Sequence, residues 1–308
     1  MPASTSSHPT ARLVALDWGS SSFRAYLLGD EGRILERRAE PWGILQLPER
    51  DFRGAFDRIT AGWSSASAPL AAIASGMIGS AQGWVEASYV DVPAGAEQLA
   101  RELTPVPGTP IRIVPGLAQR GAAPDVMRGE ETQIVGALAA EPGFADGVLV
   151  LPGTHSKWVR LAGGRIREFT TYMTGELFSV LRTHSILGRL APPGGGDPVI
   201  DDGAFTRGVK AAQRAAGGLG SLLFSARASV LVGDLPAGSS LGYLSGLLIG
   251  DELRAGLARG GRPAALIGDP ALCARYVAAL EQLGIGEVPV LADTAPAGLW
   301  TIAQYASR

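Results

Sequence analysis

The chain has one cysteine, no asparagine and two lysines among its 308 residues. Cys273 alone can close no intramolecular disulfide and build no cysteine metal cluster, which fits a reducing compartment. No apolar run approaches the roughly 20 residues that a membrane-spanning helix needs. Basic residues gather into no run either, and the formal charge of −2 with a pI near 6.0 leaves no electrostatic footprint for a polyanion. Nucleic acid and membrane are therefore not expected partners. Residues 1–10 are rich in Ser, Thr and Pro but have neither the basic start nor the apolar stretch of a signal peptide; they are expected to form a loose tail on a cytoplasmic protein. Two common nucleotide fingerprints are also missing: there is no Gly-Lys-Ser/Thr, and no Gly-x-Gly-x-x-Gly follows a strand. A nucleotide has to be held by some other frame.

What is present is a chain 46% apolar and 18% charged, long enough for two ordinary domains. Of its 27 basic residues only Lys157 and Lys210 are lysine, a scarcity that drift in base composition toward Arg, Ala and Gly explains. Lys210 falls in a polar helical stretch, as a solvated residue would. Lys157 follows a turn of Gly, Thr, His and Ser.

That turn belongs to a pattern that occurs twice. Residues 13–16 are an apolar strand, 17–22 a small-residue turn, 23–28 a second strand, 29–32 a tight turn and 33–38 a third strand. Residues 148–151, 152–156, 157–161, 162–164 and 165–171 repeat the order. One recurrence near mid-chain predicts two similarly built domains rather than a solenoid. Their boundaries are placed at 1–140 and 141–308, with the two turns facing each other across a cleft. Helices are expected at 96–103 and 129–140 in the first half and at 176–187 and 244–257 in the second. Gly136, and Gly246 with Gly250, predict close helix crossings, and the Pro- and Gly-rich residues 191–202 predict a surface loop.

Turns of Gly, Ser and Thr present backbone N–H groups and hydroxyls, the equipment that holds phosphate oxygens. Asp17 could bind Mg²⁺ through water, and Gly153, Thr154 and Lys157 could neutralise the phosphates of ATP. An isolated turn of this kind is usually an ordinary hairpin; its recurrence favours function.

The segments DWGSSSFRAYLL from Asp17, GMIGS with a following GW from Gly76 to Trp84, MRGEETQIVGAL from Met127, LPGTHSKWV from Leu151, MTGEL from Met173 and LSGLLIGDEL from Leu244 resemble, in this order, the 2-dehydro-3-deoxygalactonokinases. The resemblance spans nearly the whole chain. It implies an α/β fold of the two-lobed actin-like ATPase (ribonuclease H-like) type, with a mixed sheet and flanking helices in each lobe and the last helix packing back toward the first. It implies ATP and Mg²⁺ as cofactors, with Gly19, Ser20 and Ser21 in one phosphate turn, Gly153, Thr154 and His155 in the other, and Gly268 at the adenosine. Asp269 and Pro270 depart from the small residues usual after that glycine.

The implied substrate is a 3-deoxy-2-oxo sugar acid phosphorylated at its terminal hydroxyl. Arg24 and Arg128 are the candidates for its carboxylate, because a guanidinium offers a planar fork of donors, and Arg128 lies inside a matched segment. Gly76, Trp84, Glu131 and Glu176 complete the expected substrate side. Trp84 could cover the sugar's apolar face, although a half-buried core Trp is commoner. With no Asp in the second turn, the catalytic base is sought at Glu130, although a glutamate in the first turn of a helix is also favoured by the macrodipole alone, by about 0.3–1 kcal/mol. His155 and Glu176 stand in reserve, and His184 is expected to be a packing residue.

Two other readings compete. A phosphohydrolase of the same superfold, acting on polyphosphate or a guanosine polyphosphate, would use the Gly129-Glu130-Glu131 segment. A nucleotide-dependent switch or sugar-sensing repressor would need a partner-binding extension, and only about a dozen residues precede the first strand. The residues by themselves do not separate sugar-acid epimers, and a homo-oligomer stays open.

Overall fold

Residues 13–18 are apolar apart from Asp17 and form β1 (Leu13–Trp18), buried along its length except at that aspartate. In the computed structural model, which describes residues 10–64, 69–190, 201–214 and 217–307, the chain divides into two units. One takes the chain up to Asp146, residues 161–169 and everything from Asp293; the other takes residues 147–160 and 170–292.

In the first unit β1 is followed by β2 (Phe23–Leu28), β3 (Ile34–Glu40), helix α1 (Phe52–Ile59), β4 (Ala71–Ser75), β5 (Tyr89–Asp91), α2 (Ala96–Arg101), β6 (Thr104–Pro105), β7 (Ile111–Ile113), β8 (Gly116–Gln119), β9 (Asp125–Met127) and α3 (Glu130–Ala140). The main sheet has the order β3-β2-β1-β4-β7-β6, and β5-β8-β9 make a small second sheet. β1, β2 and β3 are an antiparallel meander, whereas β4 pairs parallel to β1 and β7 parallel to β4. The core under this sheet is aromatic: Trp18 stacks on Phe23 at 3.6 Å, and Phe52 stacks on Trp84 at 6.0 Å.

The second unit starts over with β10 (Val148–Leu151), β11 (Ser156–Ala162) and β12 (Arg165–Tyr172), of which residues 161–169 are counted with the first unit. It continues through α4 (Thr174–His184), α5 (Asp202–Gln213), α6 (Leu219–Leu222), α7 (Ser225–Leu231), α8 (Ser240–Gly260), β13 (Ala265–Ile267), α9 (Pro270–Gln282) and β14 (Val290–Leu291). Its sheet runs β12-β11-β10-β13-β14. Again a meander on one side of the first strand is joined by parallel strands on the other. The same order in both units is the mixed α/β frame, a mixed sheet with flanking helices in each, that the resemblance implies, and the strand order recurs at the level of topology.

The last helix, α10 (Ala295–Ala306), belongs to the first unit and crosses α3. That crossing is a reciprocal glycine contact: a Cβ on Gly136 would stand 1.9 Å from the carbonyl oxygen of Thr294, and one on Gly298 would stand 1.9 Å from that of Thr132. The α5–α8 crossing in the second unit repeats the device, with Gly246 against the Phe205 carbonyl at 2.1 Å and Gly208 against that of Tyr243 at 2.2 Å. Substitution at these glycines would force the backbones apart, so the close crossings expected at Gly136 and Gly246 are present.

Three of the expected helices shift at their ends. The stretch expected at 176–187 begins at Thr174 and ends at His184, the one at 96–103 stops at Arg101, and the one at 244–257 extends to Ser240–Gly260. His184, expected to pack, is exposed on the last turn of α4. The tail at 1–9 and most of the loop expected at 191–202 lie outside the described residues; Asp201 and Asp202 instead cap and open α5. Among the described residues no helix is long and apolar enough to cross a membrane.

Candidate active site

Asp17 is the last residue but one of β1. Its cross-strand neighbour on β2 is Arg24, whose Nη1 lies 3.3 Å from Oδ2, and its parallel neighbour on β4 is Ser75. Burial raises the Asp17 carboxyl above the ordinary aspartate range; Asp293 adds to the rise, and Arg24 and Arg37 oppose it. Asp293, which precedes α10, accepts from the Tyr26 hydroxyl at 2.6 Å and pairs with Arg37 at 3.1 Å. The hydroxyls of Ser75 and Thr294 are buried with no hydrogen-bond partner among the described residues.

Beyond Asp17 the turn closes with the Gly19 N–H donating to Ser22 O at 2.9 Å, and Ser20 and Ser21 stand exposed at its tip. A strap lies over it: Ile44 donates to Gly19 O and Leu45 to Ser20 O, and a Cβ on Gly43 would be 2.2 Å from Ser20 O.

Gly76, at the end of β4, has φ +96°, and a Cβ there would lie 2.8 Å from Trp18 O; one on Gly129, φ +105°, would lie 3.1 Å from the Gly76 Cα. Only glycine fits such approaches at positive φ. These two residues bring three matched segments together beside Asp17: the β1 turn, the start of GMIGS and the start of α3. At that start Glu130 is half-buried and its Oε2 accepts the Arg128 N–H at 3.0 Å. Glu131, expected beside the substrate, is fully buried. It accepts from Gly129 N–H at 2.6 Å and from the Thr132 hydroxyl at 3.0 Å, and its carboxyl is pushed up to about 8 by burial and by the charge of Glu130.

Arg128 donates through Nη2 to Ala87 O at 2.8 Å and lies 4.4 Å over the Tyr89 ring, while its Nε and Nη1 are buried with no hydrogen-bond partner among the described residues. Arg24, by contrast, is engaged with Asp17. Trp84 is half-buried on the aromatic core, edge-on to Trp18.

In the second unit, the turn from Pro152 to His155 connects β10 to β11. A Cβ on Gly153 would meet nothing within 4 Å, so one face of the turn is open. The other face is closed by α4: Glu176 N–H donates to Thr154 O at 3.0 Å, Gly175 sits so close that its Cβ would lie 2.5 Å from Gly153 O, and Glu176 pairs with His155 Nε2. Lys157 is 5% exposed, and its ammonium donates to Thr171 on β12 at 2.7 Å.

Gly268, φ +151°, ends β13 beside the turn, 3.3 Å from Pro152 O measured from its Cβ position. The Asp269-Pro270 pair that departs from the expected small residues has a local cause: Asp269 caps α9 by accepting from Leu272 N–H at 2.9 Å, and Pro270 occupies its first position.

Sequence reasoning missed Asp293, Ser75 and above all Glu252, which lies buried on α8 and accepts four hydrogen bonds around the base of the second turn. The available signal was an acidic pair, Asp251 and Glu252, inside the otherwise largely apolar LSGLLIGDEL segment.

Comparison with known proteins matches these features to one family. The sequence profile described as 2-keto-3-deoxy-galactonokinase matches residues 17–302. The 2-dehydro-3-deoxygalactonokinase of Escherichia coli K12 is 37% identical over 299 residues, 96% of this chain and 98% of that one. A Rhizobium meliloti relative of the same description is 41% identical over 287 residues, 92% and 93% of the two chains. A solved structure of a 2-dehydro-3-deoxygalactonokinase-type protein from Sinorhizobium meliloti superposes with a TM-score of 0.86 at 40% identity, covering 95% of this chain and 98% of that one. The two units, each with its strand–turn–strand site, are those of a member of the 2-keto-3-deoxy-galactonokinase family.

Proposed function

We propose that the protein transfers the γ-phosphoryl group of ATP to the terminal hydroxyl of 2-dehydro-3-deoxy-D-galactonate, giving the 6-phosphate, in the catabolism of D-galactonate. The observation that carries the reading is the repeated strand–turn–strand in a chain of this family, with a carboxylate at the foot of one turn and an open backbone at the other.

Phosphoryl transfer is mostly positioning and charge neutralisation. The open face of Gly153, the N–H groups that follow it and the Thr154 hydroxyl suit the phosphate oxygens, with Gly19, Ser20 and Ser21 playing the same part in the first unit. Lys157 supplies positive charge from behind its turn, and Gly268 lies where an adenosine segment is expected. Magnesium, when bound, neutralises the phosphates. No group of three or more His, Cys, Asp or Glu among the described residues could cage a metal. The donors present, Asp17 with the unpartnered Ser75 hydroxyl beside it, fit an ion that keeps its waters and takes one carboxylate.

Glu130 and Glu131 are adjacent but differently placed. Glu131 is buried and stays protonated at neutral pH, holding the start of α3 through Gly129. Glu130 is the one open to solvent and takes the base role: it receives the hydroxyl proton as the sugar oxygen attacks phosphorus, the bond to the β–γ bridging oxygen breaks, and ADP leaves. Arg128 anchors the substrate carboxylate, because a buried guanidinium edge without a partner is costly and a carboxylate fits its fork.

An ADP-release assay across galactonate- and gluconate-derived 3-deoxy-2-oxo acids, and across hexoses that lack the carboxylate, tests the reading. Selective turnover of the galactonate-derived acid is expected. Phosphate release without any sugar acid would point to the phosphohydrolase, and absence of turnover with every acid would overturn the proposal.

A further inference from the structure

Glu252 is 2% exposed on α8, and each of its carboxylate oxygens accepts two hydrogen bonds. Oε1 takes the Ser156 hydroxyl at 2.6 Å and the Trp158 indole N–H at 2.9 Å; Oε2 takes the Thr174 hydroxyl and the Tyr276 hydroxyl, the latter at 2.7 Å. A carboxylate has about four acceptor sites, and here all are filled by neutral donors. No cation among these contacts offsets its charge. Such a group costs free energy to bury, and a well-packed apolar residue would fill the space more cheaply. A structural account restricted to stability therefore leaves its presence unexplained.

The donors it gathers show what it does. Ser156 ends the 152–156 turn and Thr174 begins α4, the helix that closes the back of that turn through Gly175 and Glu176. One carboxylate thus fixes the far end of the turn and the helix beneath it, while Trp158 and Tyr276 hold the carboxylate from the side of β11 and α9. We infer that Glu252 is a positioning residue for the phosphate turn, setting the register of Gly153 and Thr154 against the first residues of α4. The inference rests on the reading of that turn as a phosphate holder.

The test compares the two sides of the same carboxylate. Ser156→Ala and Thr174→Val remove donors on the turn side; Tyr276→Phe removes one on the remote side. Glu252→Gln keeps the shape while changing the acceptor pattern. The turn-side variants and Glu252→Gln are expected to raise both KM and Kd for ATP about tenfold, as loss of a support behind a binding group commonly does, with KM for the sugar acid unchanged. Tyr276→Phe should lower Tm about as much as the turn-side variants do and leave KM for ATP within about twofold.

Equal effects on ATP from both sides would reduce Glu252 to a packing role and overturn the inference, as would an unchanged Kd for ATP in the turn-side variants. Should Glu252→Gln fail to fold, the Ser156→Ala and Tyr276→Phe comparison decides alone. Gly153→Val separates the two levels. If it leaves ATP binding intact, the phosphate assignment itself falls; if it weakens ATP binding while the turn-side variants do not, only the role of Glu252 is lost.

Discussion

The two strand–turn–strand pieces share a topology and differ in what stands at equivalent places. In the first unit the residue opposite the second strand's basic side chain is Asp17, which pairs with Arg24. In the second that position is Leu151, opposite Lys157, whose ammonium turns to Thr171 on the third strand instead. The first turn is held by a backbone strap from residues 43–45, the second by the start of α4 and a buried glutamate behind it. A repeated frame therefore carries divided chemistry: a carboxylate suited to a metal on one side, and on the other an open backbone suited to phosphate.

The sharpest way to break that division is Asp17→Asn. It should lower kcat by about a thousandfold, consistent with removing a charge aimed at the reacting phosphates, while sugar-acid binding by calorimetry stays intact. Burial already raises the Asp17 carboxyl, and its ion pair with half-exposed Arg24 is worth little. Tm should therefore hold, and near-normal turnover would remove the metal assignment. Next in size is Glu130→Gln, expected to lower kcat about a hundredfold with little change in KM, as for loss of a general base; an unchanged rate would move that role elsewhere. Gly153→Val tests the opposite side of the comparison. Its Cβ meets no protein atom within 4 Å, so Tm should stay near that of the parent while KM for ATP rises about tenfold through lost hydrogen bonds to phosphate. A shift in kcat alone would show that the two turns do not divide the work in this way.

Much of the frame was legible because each step had a local cause. Apolar runs ended by Gly- and Ser-rich turns, and hairpins at residues 29–32 and 162–164, specify two meanders without reference to anything distant. Gly136 and Gly246 marked close helix crossings for the same reason. The part played by the first residues of α4 was not legible, because the Thr174 hydroxyl finds its partner 78 positions away, at Glu252. Nor was Asp293, which reaches Tyr26 across 267 positions. Lys157 stood out in the sequence by the scarcity of lysine, but its partner on β12 depends on sheet pairing that a single sequence does not display. The site residues that were hardest to read are those whose partners are remote in sequence.

A prediction read in stability and not in turnover separates Glu130 from Glu131, which the sequence presents as equals. Glu131 ionises near pH 8 in the folded protein, against an ordinary value of 4.5. Below pH 4.5 it is protonated in both folded and unfolded chains. As pH rises from there to 8, the unfolded chain loses a proton that the folded chain retains, so stability falls by up to about 1.4 kcal/mol per pH unit and then levels off. Glu131→Gln removes this dependence while keeping an acceptor for Gly129 and a group that can meet Thr132. Melting curves for parent and variant should nearly coincide at pH 4.5, with the variant several degrees higher at pH 8; parallel curves across that range would mean that Glu131 is ionised in the fold. Because the charge of Glu130 contributes to holding Glu131 protonated, Glu130→Gln should also flatten the pH dependence, though less. The two neighbours would then be told apart by turnover, which Glu130→Gln lowers, and by the loss of pH-dependent stability, which is larger in Glu131→Gln.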